Sequence, residues 1–229
     1  MNDHHDVVEL LLRIRFFSGL SAADLESLQP AVRRRKFRRQ QNIFREGDPG
    51  DALYLVVAGE VKISRTLVAG EEVVFSLLGA GDAFGELAVL EHDAVRSADA
   101  TAISETVCLV LHQRPVVEFL QAHPAAMWHV VTTLSDYIKR KDEAFVDLSV
   151  RDITGRVARK LLELTRLRGG PAGAAQEITL SQTTLAGLVG ASRENVNRAL
   201  NRFVALGYVK LDRGRIVVLR PEELMRRSV

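Results

Sequence analysis

The apolar and polar positions of this chain change period along its length. From Val7 to Phe17 (VVELLLRIRFF), and again over residues 22–29, apolar residues return at helical spacing. Ser21 precedes the second of these segments as a fair N-cap, with Asp24 in its first turn. Between residues 42 and 111 the pattern becomes short β-type runs broken by glycine turns: Ile43-Phe44, Leu53–Val57, Val61–Ile63, Val73–Leu78, Ala98–Ile103 and Val107–Leu111. Many short strands at regular spacing predict an antiparallel barrel or jelly roll. A helix from Pro115 breaks at Pro124, and a long helix follows over about residues 125–148. Its apolar positions, Met127, Val131, Leu134, Ile138, Phe145 and Leu148, follow steps of four and three, with Lys141 in the slot between Ile138 and Phe145. That is a heptad seam and predicts that two copies of the helix pair; the alternative is a helix packed on its own domain. Trp128 reads as a packing residue and His129 as a surface one.

Beyond the seam the pattern shortens. Asp152 or Thr154 caps a helix running to about Arg168, and residues 169–176 carry no sign of structure. Ser181 caps a short helix that Gly190 closes, and Ser192 caps the next, on which Val196, Leu200 and Phe203 share a buried face. Two short helices about a tight glycine-containing turn make a helix-turn-helix. The runs 207–211 and 215–219 flank Asp212-Arg213-Gly214 as a β-hairpin, a wing. The fold class expected is α+β: a β-roll, a long dimerisation helix and a winged helix-turn-helix. The domains expected are 1–122, 123–150 and 151–229.

Charge sharpens this division. The net charge of the chain is +2, but residues 1–152 carry 17 basic against 23 acidic residues, while residues 153–229 carry 14 against 6. A basic C-terminal segment places the nucleic-acid contact there. Arg193, Glu194, Asn197 and Arg198 lie off the buried face of the second helix, and arginine can take guanine O6 and N7 as a pair. Arg213 and Arg215 sit near the wing tip. The run Arg33–Arg39 reads as a solvated edge strand rather than a second nucleic-acid site.

The stretch GELAVLEHDAVRSA, residues 85–98, interrupts the strands. Gly85 allows close approach, Glu86 can accept hydrogen bonds from sugar hydroxyls, and Arg96 with Ser97 suits a phosphate. A surface Glu–Arg pair on a loop is the plainer alternative. The single cysteine, Cys108, sits in an apolar run as a buried core residue and can form no internal disulfide. The six histidines are scattered, so no metal is expected, and neither an 18-residue apolar run nor a signal-peptide pattern is present. These features fit a cytoplasmic protein with no membrane contact and no enzyme chemistry.

Gly85-Glu86-Leu87 and Arg96-Ser97-Ala98 resemble the phosphate-binding cassette of the CRP/FNR family of bacterial transcription factors. Gly190-Ala191-Ser192-Arg193-Glu194-Asn195-Val196 resembles its recognition helix, and Asp152-Ile153-Thr154-Gly155-Arg156 its hinge. The resemblance implies a homodimer that binds a cyclic nucleotide, with Glu86 on the ribose and Arg96 and Ser97 on the cyclic phosphate. It implies duplex DNA with palindromic, TGTGA-like half-sites read by Arg193, Glu194 and Arg198. It also implies contact with RNA polymerase, often through the loop at about 169–177. The single cysteine sets the chain apart from iron–sulfur members. One departure stands out: Lys141 and Asp142 occupy positions where cyclic-AMP-responsive members carry Thr followed by Ser or Asn on the adenine. The effector expected is therefore a cyclic nucleotide, cyclic AMP by family, with cyclic GMP, a cyclic dinucleotide or ligand independence as alternatives. A cyclic-nucleotide-binding regulatory subunit of an enzyme is the remote alternative, and the helix-turn-helix argues against it.

Overall fold

The protein is described here by a computed structural model, which covers residues 3–17, 19–68, 70–91, 94–167, 176–212 and 214–228. The chain divides into two units, one of residues 1–65 and 75–139, the other of residues 66–74 and 140–229.

The first unit opens with helices α1 (Asp3–Leu12) and α2 (Ala22–Glu26). Ser21 caps α2 in a capping box with Asp24. The strands follow: β1 (Arg33–Phe37), β2 (Asn42–Phe44), β3 (Ala52–Ala58), β4 (Val61–Thr66), β5 (Glu72–Leu78) and β6 (Ala83–Phe84). The short helix α3 (Glu86–Leu90) interrupts them before β7 (Asp99–Ala102) and β8 (Thr106–His112). They form two antiparallel four-stranded sheets, ordered β1-β8-β3-β6 and β2-β7-β4-β5. Strand alternation separates two cores. Tyr54, Val56, Cys108 and Val110 join Phe37, Phe84, Val61, Ala100 and Ala102 inside the roll. Leu53, Leu55, Leu109 and Leu111 face the opposite way, against Leu11, Ile14, Phe17 and Leu25 from the N-terminal segment. Cys108 is wholly buried, and burial pushes its thiol up to about 12. The basic run Arg33–Lys36 is exposed on β1, an edge strand.

Helix α4 (Gln113–Ala122) starts two residues before Pro115, and α5 (Pro124–Val150) contains the predicted seam. The seam needs one correction. Ala126 and Val130 are buried in the helical core of the first unit, and Leu134 packs against the same core. The exposed apolar row is Met127, Val131, Ile138 and Phe145, joined by Trp128, which is 67% exposed rather than packed. His129 is half-buried. Spacing alone could not tell these two adjacent faces apart.

In the second unit, α6 (Ile153–Leu167) precedes strand β9 (Gln176–Thr179). The helix-turn-helix follows as α7 (Gln182–Val189) and α8 (Arg193–Ala205), with the hairpin β10 (Val209–Asp212) and β11 (Arg215–Val218) and a last helix α9 (Pro221–Arg227). The wing is a three-stranded sheet, β10-β11-β9. Strand β9 begins where no structure was expected, and it is held by pairing to β11 rather than by local pattern. Ser181 and Ser192 cap α7 and α8, and Gly190 ends α7 in the left-handed region.

Asp152 settles the choice of cap for α6. One carboxylate oxygen accepts from the Gly155 N–H at 2.6 Å and the other from Arg227 Nη2 at 2.5 Å. The capping bond, opposed by partial burial and helped by Arg227, lowers the carboxyl pKa from its usual 3.8. Asp152→Ala is expected to destabilise the protein by about 1 kcal/mol, the usual cost of a lost N-cap. A carboxyl depressed in the native state stabilises above its unfolded pKa and loses that contribution as pH falls through the native value. Denaturant melts should therefore show the full difference from wild type at pH 7 and a shrinking one below the ordinary carboxylate range.

Candidate ligand pocket and nucleic-acid interface

The cassette is built around a buried arginine. After β6, Gly85 turns the chain at φ 82°, a left-handed conformation that glycine adopts without strain. A Cβ placed there would lie 2.6 Å from Arg96 Nη1 and 3.0 Å from the Ala52 carbonyl oxygen. Glycine thus serves both the turn and the close approach of Arg96. Arg96 is 3% exposed. Its Nη2 donates to the Ala52 carbonyl at 2.7 Å and its Nη1 to the Gly85 carbonyl at 3.2 Å. The guanidinium lies 4.3 Å from the centre of the Phe44 ring and 5.6 Å from that of Tyr54, and Tyr54 stacks on Phe84 at 5.1 Å. Asp51 approaches Nη2 at 4.0 Å. Burial pulls the Arg96 pKa below its ordinary value, while Tyr54, Asp51, Glu86 and Asp48 pull it back.

This arrangement leaves the Arg96 Nε buried with no hydrogen-bond partner. A buried N–H without an acceptor is costly. An anionic oxygen is the acceptor chemistry that best suits it, so the residues present fit a phosphate. Gly85 and Arg96 are in direct contact, and the charge of Glu86, the half-buried first residue of α3, acts on Arg96. Leu87 and Ser97 are exposed and Ala98 is buried. Asp142 is exposed on α5, and the Lys141 side chain lies outside the described residues. The sequence did not single out Ala52, Asp51, Phe44 or Tyr54, because an arginine 44 residues distant from its acceptor leaves no local spacing to read.

The second site lies in the other unit. Ser192, Arg193, Glu194, Asn197 and Arg198 are all exposed at the start of α8, while Val196, Ala199, Leu200 and Phe203 are buried beneath them. The Glu194 carboxyl is lowered by its own backbone N–H and by Ser192. The N-termini of α7 and α8 and the wing converge on an open cleft of about 430 Å³, lined by Ser181, Thr183, Arg193, Leu211 and Arg215 among others. Cationic side chains and helix N-termini facing one cleft suit a phosphate backbone passing over it.

Two predicted contacts carry constraints that the sequence reading missed. Arg198 donates to the Asn195 side chain at 2.8 Å, which fixes its direction one turn along the helix. Arg215 pairs with Glu177 at 2.5 Å, so part of its charge is spent within the wing. The first was available from the i, i+3 spacing; the second needed β9 beside β11. Arg213 lies outside the described residues, as does the stretch 169–175 of the loop implicated in polymerase contact. Arg156 on α6 donates to the Gly190 carbonyl at 3.4 Å and so ties α6 to the turn between α7 and α8. Among the described residues, no group of three His, Cys, Asp or Glu could hold a metal ion, and no helix is long and apolar enough to cross a membrane.

Comparison with known proteins matches both halves. Residues 34–123 match the cyclic nucleotide-binding domain, and residues 155–227 the Crp-like helix-turn-helix domain. The chain is 32% identical to a CRP-like cAMP-activated global transcriptional regulator of Mycobacterium tuberculosis, over 96% of this chain and 99% of that one. It is 33% identical to the cyclic AMP receptor protein of Thermus thermophilus, over 88% and 91%. Among solved structures, the c-di-GMP responsive global regulator CLP of Xanthomonas campestris shares the fold, with a TM-score of 0.77 and 23% identity over 86% of this chain and 99% of that one.

The double duty of Gly85 can be measured. Gly47 has the same left-handed backbone, at φ 84°, but its added Cβ would meet nothing within 4 Å. Gly47→Ala is expected to cost about 1–2 kcal/mol, the strain of a left-handed residue bearing a Cβ. Gly85→Ala should cost clearly more in the same urea melts, because Arg96 must also move.

Proposed function

The chain belongs to the CRP/FNR family of DNA-binding transcription regulators, and on that premise we propose that it works as a homodimer whose β-roll binds a cyclic nucleotide and whose paired α8 helices read a palindromic operator. The observation that carries the ligand half is the buried Arg96 with its unpartnered Nε, in a cassette that also holds Glu86 and Ser97. Arg96 and Ser97 take the cyclic phosphate and Glu86 the ribose. The relatives' names favour cyclic AMP. Lys141 and Asp142 in place of a Thr–Ser adenine grip favour weak discrimination between bases. On DNA, Arg193, Glu194 and Arg198 reach base edges, Ser192 and Asn197 flank them, and Arg213 and Arg215 approach the backbone from the wing. The bound ligand favours the dimer arrangement that sets the two α8 helices about one DNA turn, ~34 Å, apart. Contact with RNA polymerase and a cytoplasmic location follow from this role.

A second reading has its own support. Arg96 already holds two carbonyls of its own chain, so the roll has anchors that do not depend on a ligand. In that reading the protein holds its operator equally well with or without nucleotide.

One experiment separates the two. Wild type, Arg96→Lys and Arg193→Ala are titrated with cyclic AMP, cyclic GMP and cyclic di-GMP, and then with operator and scrambled duplexes at fixed salt. Ligand control predicts nucleotide binding that Arg96→Lys weakens and operator affinity that rises with ligand. Lysine keeps the charge but not the planar fork, and it is less disruptive than alanine in a 3%-exposed slot. Arg193→Ala should lose about 1–3 kcal/mol on operator and little on scrambled DNA. A wild type that binds no nucleotide, and whose operator affinity ignores all three, sinks the sensor reading and leaves the ligand-independent one.

The dimer is tested on α5. Ile138 is 59% exposed, whereas Leu134 packs into the first unit's own core. Ile138→Asp should therefore give folded monomers by sedimentation, because it buries a charge only at the paired seam. Leu134→Asp should instead lower the melting temperature of the chain itself. A dimer that survives Ile138→Asp would remove α5 as the interface.

A further inference from the structure

We propose that Arg65 is a positioning residue for the phosphate arm of the cassette, holding Ser97 and Ala98 in place for the ligand. The inference rests on the reading of residues 85–98 as the nucleotide site.

The arm from Ala94 to Ala98 lies outside the regular strands, yet its first half is stitched by backbone bonds. Gly50 N donates to the Ala94 carbonyl at 2.9 Å, Arg96 N to the Asp48 carbonyl at 2.8 Å, and Gly47 N to the Arg96 carbonyl at 2.9 Å. That ladder ends at Arg96, and β7 begins only at Asp99. Ser97 falls in the interval. Its carbonyl accepts from Arg65 Nη2 at 3.0 Å. The same nitrogen lies 2.6 Å from Glu46 Oε1. The Glu46 N–H in turn donates to Asp99 Oδ1 at 2.9 Å. The four residues close a ring around the Ser97-Ala98-Asp99 segment.

Register explains why Arg65 occupies this place. Strand β4 pairs with β7 so that Ser64 stands opposite Asp99. The next residue of β4 is therefore level with the end of the arm. Ser64 is buried and Arg65 turns outward, as strand alternation requires. A guanidinium can bridge a carboxylate and a carbonyl at once, because its donors lie in one plane. Its bond to the Ser97 carbonyl fixes the peptide that also carries the Ala98 N–H. Polarising that carbonyl strengthens the N–H as a donor to an anion.

The plainer alternative is a surface ion pair. Both partners are more than 40% exposed, and pairs of that kind contribute little to stability. The two roles differ in what they move. A surface pair shifts neither ligand affinity nor the exchange of amides across the ring. A positioning residue shifts both while leaving the melting temperature nearly unchanged.

The test uses the full chain as wild type, Arg65→Ala and Arg65→Lys. Amide hydrogen exchange over residues 94–99 is measured without ligand, dissociation constants are measured for cyclic AMP, cyclic GMP and cyclic di-GMP, and melting is followed for each variant. Arg65→Ala should speed exchange at Ala98 and Asp99 severalfold and raise the dissociation constant of the tightest nucleotide about tenfold, a factor typical of one lost charge-assisted contact. Arg65→Lys should recover part of both. Unchanged exchange overturns the inference whatever the titrations give. So does an unchanged dissociation constant in a protein that binds nucleotide, or a loss matched by a general fall in melting temperature that lysine does not recover. If wild type binds none of the three nucleotides, the ligand reading fails by itself; the exchange result then decides whether Arg65 orders the arm.

Discussion

The β-roll depends on one buried cation. A guanidinium that is 3% exposed must have its donors answered, and here the Ala52 and Gly85 carbonyls answer two of them. Those carbonyls come from β3 and from the turn before α3, so one side chain joins a strand, a turn and the arm that carries it. The requirement reaches outward. Gly85 must be glycine because Arg96 Nη1 occupies the space of its Cβ. Phe44 and Tyr54 must be aromatic, or at least flat, to lie against the guanidinium plane, and Phe84 stacks behind Tyr54. The glycine-led turn, the aromatic cluster and the arm are consequences of the same burial.

Much of this fold was legible in the sequence, and the legible parts share a cause. Caps are local: Ser21 with Asp24, Ser181 with Thr184 and Ser192 with Asn195 each act over three residues, and all three were readable as spacings. β3 and β8 were likewise legible as short apolar runs, but runs apolar on both faces do not declare which face meets which core. What escaped was tertiary. Strand β9 has no pattern of its own and exists because β11 pairs with it. Leu134 and Ile138 both satisfy a heptad, but only the packing of Ala126 and Val130 shows that Leu134 belongs to the inward row. Of the site, Glu86, Arg96 and Ser97 were visible as a motif, whereas Ala52, Phe44, Tyr54 and Arg65 were not. Each of these acts across 32 to 52 residues of chain, through register that no single-segment pattern contains.

The DNA-binding unit shows the same economy around α6. Asp152 closes the start of α6 with one oxygen and takes Arg227 of α9 with the other. One turn along α6, Arg156 reaches the Gly190 carbonyl at the end of α7. The turn that orients α8 is thus tied to the helix that follows α5 in the chain. The Arg156 Nε is, with the Arg96 Nε, one of two buried side-chain nitrogens without a partner among the described residues. Native proteins leave few such groups, and each needs an account of its own.

A ligand can shift an equilibrium only by its difference in affinity between two states. Gly85, Glu86, Arg96 and Ser97 all belong to the first unit, so a ligand held by them alone would gain no difference in affinity from a rearrangement that leaves this unit unchanged. The base is the part of a nucleotide free to reach a group outside the roll. Under the proposed function Lys141 and Asp142 meet the base, so they bear on the coupling as well as on the affinity. Under that reading a cyclic nucleotide raises operator affinity, and the base it carries sets by how much.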